Sequence, residues 1–147
     1  MKFIIKFLIF ILFISPSFAE DTFPENNPNH TIQICKDAST KRGVLDEKKF
    51  GWCIDDKNKG YELAEVIYNE FKSEPYFNEV ITYVLSETTK RGNIDYQHFY
   101  YELEKQKEAI LDLKYLIKEK KVNESQVNKC SKEEFPNIWA IVYCLEG

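Results

Sequence analysis

Four cysteines are the side chains of this sequence best suited to chemistry. They are Cys35, Cys53, Cys130 and Cys144. An even number of cysteines in a chain that leaves the cytosol predicts disulfides, and four thiols allow three pairings. The spacing favours the two local pairs, 35–53 and 130–144, over the crossed pairings that would join the two ends of the chain. The alternatives are free thiols and a structural zinc site, but a zinc site would normally include a closely spaced pair such as Cys-x-x-Cys, and none is present.

The two histidines, His30 and His98, are the only imidazoles of the chain. Nucleophilic catalysis by a Ser–His–Asp or Cys–His set needs a histidine held beside its nucleophile. We place His30 in a polar segment before the folded part and His98 on the surface of a helix. The adjacent carboxylates at 55–56 and 133–134 are typical of solvated positions. We therefore expect no enzymatic activity, no metal and no cofactor.

Residues 87–99 resemble part of a calcium-binding EF-hand, with Gly92 at the sixth position of the loop. Calcium needs oxygen ligands at the first, third, fifth and twelfth positions. Here Arg91 is fifth and His98 is twelfth, so the segment is interpreted as a helix–turn–helix without calcium. The segment 55–60 fails in the same way, because lysines occupy its third and fifth positions.

Residues 1–19 have the pattern of a secretory signal peptide. Lysines precede an unbroken apolar run at 7–14, and the small residues Ser17 and Ala19 stand before an expected cut at Glu20. The run is shorter than the about 20 residues of a membrane-spanning helix. We therefore expect cleavage, no stable membrane anchor, and a secreted or periplasmic mature protein.

The composition of the chain indicates which kinds of partner it can bind, and it says little about catalysis. Apolar residues make up 44% of the 147 residues, and the formal net charge is −4, from 20 basic and 24 acidic side chains. An acidic chain whose only arginines are Arg42 and Arg91 is not expected to bind nucleic acid. Asn29 and Asn123 begin glycosylation sequons, which we interpret as chance matches because Asn123 with Gln126 also fits a helix capping box.

Helical periodicity dominates the elements that must position these residues. It predicts helices over 61–73, 75–92, 94–121 and 123–130, and from Phe135 to the C-terminal end. We find no strand pattern and no internal repeat, and we interpret 55–60 as a polar connector. The prediction is an all-α fold, a small helical bundle of about five helices with two disulfides. A flexible lead-in at 20–30 precedes a single helical domain at 31–147.

Gln106 is the polar exception in the main apolar stripe of the long helix at 94–121. Two interpretations stay open. The stripe is either bundle core, or a seam for a partner or a second copy in which Gln106 fixes the register. The last helix is apolar nearly all round, which predicts that it is buried.

The segment 130–146 reads Cys-Ser-Lys-Glu-Glu-Phe-Pro-Asn-Ile-Trp-Ala-Ile-Val-Tyr-Cys-Leu-Glu. It resembles a short pattern of uncharacterised bacterial proteins, in which a cysteine precedes an aromatic-Pro-Asn turn and a Tyr-Cys-x-Glu helix. The commoner form has Asp or Asn and then Tyr after the proline, whereas this chain has Asn137 and Ile138. The resemblance implies a bacterial, hence periplasmic, setting and no particular activity.

These features favour a non-catalytic factor that binds another protein, of inhibitor or immunity type. Tyrosine is enriched at interfaces because it buries area while keeping a polar end. The candidate interface tyrosines are Tyr61, Tyr68, Tyr76, Tyr83, Tyr101 and Tyr115. The alternative is a carrier that holds a small apolar ligand in a pocket between the long helix and the C-terminal helix.

Overall fold

The computed structural model describes residues 22–147, so the predicted signal peptide 1–19 lies outside the described residues. Its helices are α1 (Pro28–Ser39), α2 (Glu47–Phe71), α3 (Phe77–Thr88), α4 (Tyr96–Lys118), α5 (Glu124–Glu134) and α6 (Ile138–Glu146). Two antiparallel strand pairs accompany them: β1 (Thr40–Lys41) with β2 (Val44–Leu45), and β3 (Thr89–Lys90) with β4 (Asn93–Ile94). The all-α class is confirmed, with six helices within residues 22–147 where about five were predicted for the chain. Within residues 22–147, the helices are too short or too polar to cross a membrane.

Helix α2 begins at Glu47 rather than at residue 61, so the predicted polar connector at 55–60 is wrong. Asp46 caps this helix, because its side chain accepts a hydrogen bond from the backbone N–H of Lys49 at 3.0 Å. Lys57 and Gly60, which make the segment look like a loop in the sequence, are both buried on one face of the helix.

Residues 22–30 of the predicted flexible lead-in at 20–30 are described by the structure, and there the structure differs from the prediction. Helix α1 already begins at Pro28, which suits the first turn because it lacks a backbone N–H. Before the helix, the ring of Phe23 stacks on Tyr68 with centroids 4.9 Å apart. The hydroxyl of Tyr96 donates to the carbonyl of Glu25 and accepts from the backbone N–H of Asn27. Burial of aromatic surface and these hydrogen bonds hold the segment in place.

The order helix, strand, strand, helix occurs twice, first as α1–β1–β2–α2 and then as α3–β3–β4–α4. The expectation of no strand and no internal repeat is therefore wrong. Positions 40–43 and 89–92 both read Thr-Lys-Arg-Gly. In each hairpin the arginine and the glycine have positive φ, 53° and 80° in the first and 51° and 78° in the second. Two successive residues with positive φ form the tight turn that matches the twist of a two-residue hairpin. The repeat signal therefore lies in the turn residues.

The chain divides into two compact units. The hairpin unit comprises 23–71 and 84–104 and contains both strand pairs; its buried side chains include Cys35, Ala64, Ile67, Tyr96, Phe99 and Leu103. The C-terminal unit comprises 72–83 and 105–147 together with Thr22; its buried side chains include Phe77, Ile81, Ile110, Val127, Ile138 and Ile141. The single domain at 31–147 stays a prediction.

Candidate functional site

All four cysteines form disulfides, and both local pairings are confirmed. The Cys35–Cys53 bond joins α1 to α2 in the hairpin unit, and the Cys130–Cys144 bond joins α5 to α6 in the C-terminal unit. The four cysteine sulfur atoms are therefore held in structural disulfides and are not nucleophiles or zinc ligands. Across residues 22–147, no group of three or more histidine, cysteine or acidic side chains is placed to hold a metal ion.

The structure separates the two histidines by environment. His30 lies in the first turn of α1 rather than in a loose tail, and its Nδ1 accepts a 3.4 Å hydrogen bond from the backbone N–H of Ile94. His98 lies in the first turn of α4, with its Nε2 3.7 Å from Glu102 on the next turn of the same helix. Both side chains of that pair are partly exposed, as predicted for His98.

Asp95 and Lys57 form a largely buried ion pair in the hairpin unit. Their Oδ1 and Nζ atoms are 2.6 Å apart, and the side chains are 15% and 11% exposed. Burial alone would raise the pKa of Asp95, but hydrogen bonds from Lys57 and from the backbone of His98, with the charge of Lys57, lower it below its ordinary value. Lys57 also donates to Gln97. An ionised carboxylate engaged in this way anchors the start of α4 and is poorly placed to exchange a proton.

Most of the predicted interface tyrosines are at least half-buried within the protein. Tyr61, Tyr68, Tyr76 and Tyr83 are buried or half-buried, whereas Tyr101 and Tyr115 are exposed. Burial, with the nearby charge of Glu74, raises the pKa of Tyr76, so its hydroxyl stays neutral. The more prominent exposed tyrosine is Tyr143, which the sequence analysis did not select.

Helix α6 is buried on one face only, so the prediction that this helix is buried is wrong for its other face. Ile138, Ile141 and Val142 are buried, while Trp139 is 43% and Tyr143 70% exposed. The two exposed rings are one helical turn apart, stack at 5.7 Å between centroids, and are inclined by only 17°. The spacing of these aromatics, opposite the aliphatic positions, is the sequence signal that could have identified this face.

The exposed rings border a surface depression of about 180 Å³ in the C-terminal unit, which we call the aromatic depression. Its lining includes the buried side chains of Ala109 and Val142. The carboxylates at its border are those of Glu108, Asp112 and Glu146. The Nζ atom of Lys105 lies 4.1 Å from the centre of the Trp139 ring, a cation–π contact.

A polar network fixes the start of α6 against α4 and so positions the aromatic rings. Gln106, 1% exposed, donates to Asn137 at 3.0 Å and accepts from the backbone N–H of Trp139 at 3.2 Å. Asn137 also caps α6 and donates to the hydroxyl of Tyr83. Of the two interpretations of Gln106, the structure therefore supports the bundle core, since its amide is satisfied within the chain.

Comparisons of this chain with protein-family models, with curated proteins and with solved structures give no match.

Proposed function

We propose that this chain is an exported, non-catalytic factor of inhibitor or immunity type that binds another protein through the aromatic depression. The observation that carries the proposal is the exposed, stacked pair of Trp139 and Tyr143. Tryptophan and tyrosine are enriched among the residues that dominate binding energy at protein interfaces. A pair of such rings exposed side by side beside a depression suits an interface better than a surface without a partner.

The rigidity of this face supports the proposal. The Gln106–Asn137 hydrogen bond holds the first turn of α6, and the Cys130–Cys144 bond holds its last turn. Because the rings are already positioned, less conformational freedom is lost when a partner binds. Aromatic side chains with few rotatable bonds reduce that loss further.

Export rests on the predicted signal peptide and on the two disulfides. Disulfides persist in the periplasm and outside the cell and are rare in the reducing cytosol. The disulfides formed by Cys35 and by Cys130 are consistent with a mature protein that acts in an oxidising compartment.

The carrier alternative is less favoured because of what lies between α4 and α6. The sequence predicts an apolar pocket between these helices; the structure has there the Gln106–Asn137 amide pair and, at the surface, the aromatic depression with three carboxylates at its border. An apolar ligand in the depression would exclude water from those carboxylates without replacing their hydrogen bonds, which is costly. Native mass spectrometry of the purified protein separates the two functions, because a carrier would retain a small apolar molecule.

The test compares two double variants with the same pair of substitutions. Trp139→Ala with Tyr143→Ala removes the proposed face; Trp52→Ala with Tyr101→Ala removes exposed rings of the hairpin unit, 61% and 55% exposed. A protein captured from the extracytoplasmic fraction of the source cell is purified and titrated calorimetrically against each variant. We expect the face variant to weaken binding at least about 100-fold and the control to bind as the parent does.

Equal binding by the parent and the face variant would overturn the proposal. So would a small apolar molecule found in the native mass spectrum of a chain that binds no protein. Circular dichroism of both variants shows whether each retains the helical fold.

A further inference from the structure

We propose that the partner places an arginine side chain in the aromatic depression, so that the depression is a guanidinium site. This inference rests on the proposed function and specifies the chemistry of its partner.

The charges around the depression are unbalanced. Glu108, Asp112 and Glu146 are exposed carboxylates at its border, and Lys105 is the ammonium group among its lining residues. Within residues 22–147, none of the three carboxylates makes an ion pair. Glu108 and Asp112 lie one turn apart on α4, a spacing at which like charges repel. A cation bound between them would relieve that repulsion.

The aromatic side of the depression also suits a cation. Lys105 already lies over the ring of Trp139, which shows that this surface accepts a positive group. Tyr143 stacks on Trp139 and is 70% exposed, so much of its ring is open to solvent. A cation over an aromatic face is attracted by the ring, and the attraction is stronger when water is excluded.

Arginine fits these two features together better than lysine. The guanidinium group is planar, so it can stack on Tyr143 while its fork of N–H groups donates to carboxylates such as Asp112. A lysine ammonium is more strongly hydrated and offers no plane to stack. The site as built therefore favours arginine.

Other occupants leave the carboxylates unsatisfied. An apolar side chain would exclude water from Glu108 and Asp112 without replacing their hydrogen bonds, which is costly for ionised groups. An anionic segment would add repulsion to three existing negative charges. A cationic side chain is the occupant that satisfies both the rings and the carboxylates.

The test uses Trp139 as its own reporter. The chain has two tryptophans, so the Trp52→Phe variant leaves Trp139 as the only tryptophan signal. The probe is a short peptide of alternating arginine and glycine, titrated while tryptophan fluorescence is recorded. Its control is the same peptide with citrulline for arginine, which keeps the shape and removes the charge. We expect saturable binding of the arginine peptide and at least about tenfold weaker binding of the citrulline peptide.

Two charge variants locate the binding. Glu108→Gln with Asp112→Asn, in the Trp52→Phe background, is expected to weaken binding of the arginine peptide about tenfold or more. Asp55→Asn with Asp56→Asn removes the same number of charges from the exposed surface of α2 and should leave binding unchanged. Added salt should weaken binding, as expected for exposed charges.

The inference is overturned if the arginine peptide does not bind, if citrulline binds equally, or if both charge variants behave alike. After any of those results the proposed function still holds, provided that Trp139→Ala with Tyr143→Ala abolishes binding of the natural partner. If that variant instead binds the partner normally, the proposed function fails, whatever the peptide does.

Discussion

Two buried polar side chains, Lys57 and Gln106, have the same task in the two halves of the repeat. Each lies at the same distance after a Thr-Lys-Arg-Gly turn, on the helix that follows the hairpin. Lys57 binds Asp95, the residue before α4, and Gln106 binds Asn137, the N-cap of α6. In both cases a buried polar group of one helix holds the first turn of a later helix, which fixes where that helix begins.

The Lys57–Asp95 pair makes stability depend on pH. The folded pKa of Asp95 is lowered, so this carboxylate stabilises the fold at pH values above its ordinary pKa near 3.8. The contribution is lost as the pH falls from there through the folded pKa. We expect Asp95→Asn to lower the free energy of unfolding by about 2–4 kcal/mol near pH 7, because it leaves Lys57 buried without its counter-charge. Urea unfolding near pH 7 and near pH 3 measures this, and the difference from the parent should shrink at the lower pH.

Asp46 provides the matched control for that experiment. It stands at the equivalent position before α2 and also accepts a backbone hydrogen bond, from Lys49, but it is exposed. Asn caps helices about as well as Asp, so Asp46→Asn should change stability by only a few tenths of a kcal/mol. If the two variants lose the same stability at both pH values, the assignment to the ion pair is wrong.

Gln106 is expected to stabilise the fold through the hydrogen bonds of its buried amide. Gln106→Leu keeps a side chain of similar size but leaves the backbone N–H of Trp139 without its acceptor. We expect a loss of about 1–3 kcal/mol in chemical denaturation. Gln33→Leu, at an exposed position of α1, should stay within about 0.5 kcal/mol of the parent. A neutral Gln106→Leu would mean that packing, not the amide network, positions α6.

At the scale of the elements, a glycine decides how closely α2 approaches the start of α4. A Cβ atom added at Gly60 would lie 2.6 Å from Cα of Gln97 and 2.7 Å from the carbonyl oxygen of Tyr96. Both are backbone atoms, so the clash cannot be relieved by rotating a side chain. Gly60→Ala should therefore destabilise the protein by about 2 kcal/mol or more, although alanine is the better helix former.

Gly51, in the same helix, is the control for this effect. Nothing lies within 4 Å of a Cβ added there. Gly51→Ala should therefore raise the free energy of unfolding by about 0.5–1 kcal/mol, the intrinsic helix preference of alanine over glycine. Thermal unfolding of the two variants should give shifts of opposite sign. Shifts of the same sign would contradict the close approach of the two helices.

The sequence predicted elements well where periodicity or capping residues mark them. The capping box of Asn123 and Gln126 is present at the start of α5, as predicted. The first half of α2 was missed because Lys57 is polar in the sequence, yet it is buried by an ion pair from a distant segment. The hairpins were missed because two-residue strands have no measurable alternation, and only their turn residues identify them.

At the scale of the whole molecule, the cysteines were predictable and the aromatic depression was not. Local spacing favoured the two pairings that the structure contains, because each cysteine pair lies on neighbouring helices. The depression combines residues of α4, such as Asp112, with residues of α6, such as Tyr143. Its position depends on how those two helices pack, and Gln106, which sets that packing, looked in the sequence like a polar interruption of the core.

Each disulfide lies in a different unit. Removing them one at a time should therefore distinguish the effect of a disulfide on stability from its effect on partner binding. In the chain-entropy treatment, loops with sequence separations of 18 and 14 residues predict similar losses, about 3 kcal/mol for each bond. Cys35→Ala with Cys53→Ala and Cys130→Ala with Cys144→Ala should therefore be destabilised alike in urea. Only the second variant frees the end of the helix that carries Tyr143. Calorimetry under conditions where both variants are folded should show weaker partner binding for that one alone. Equal affinities for both variants would show that the Gln106–Asn137 network suffices to position the aromatic face.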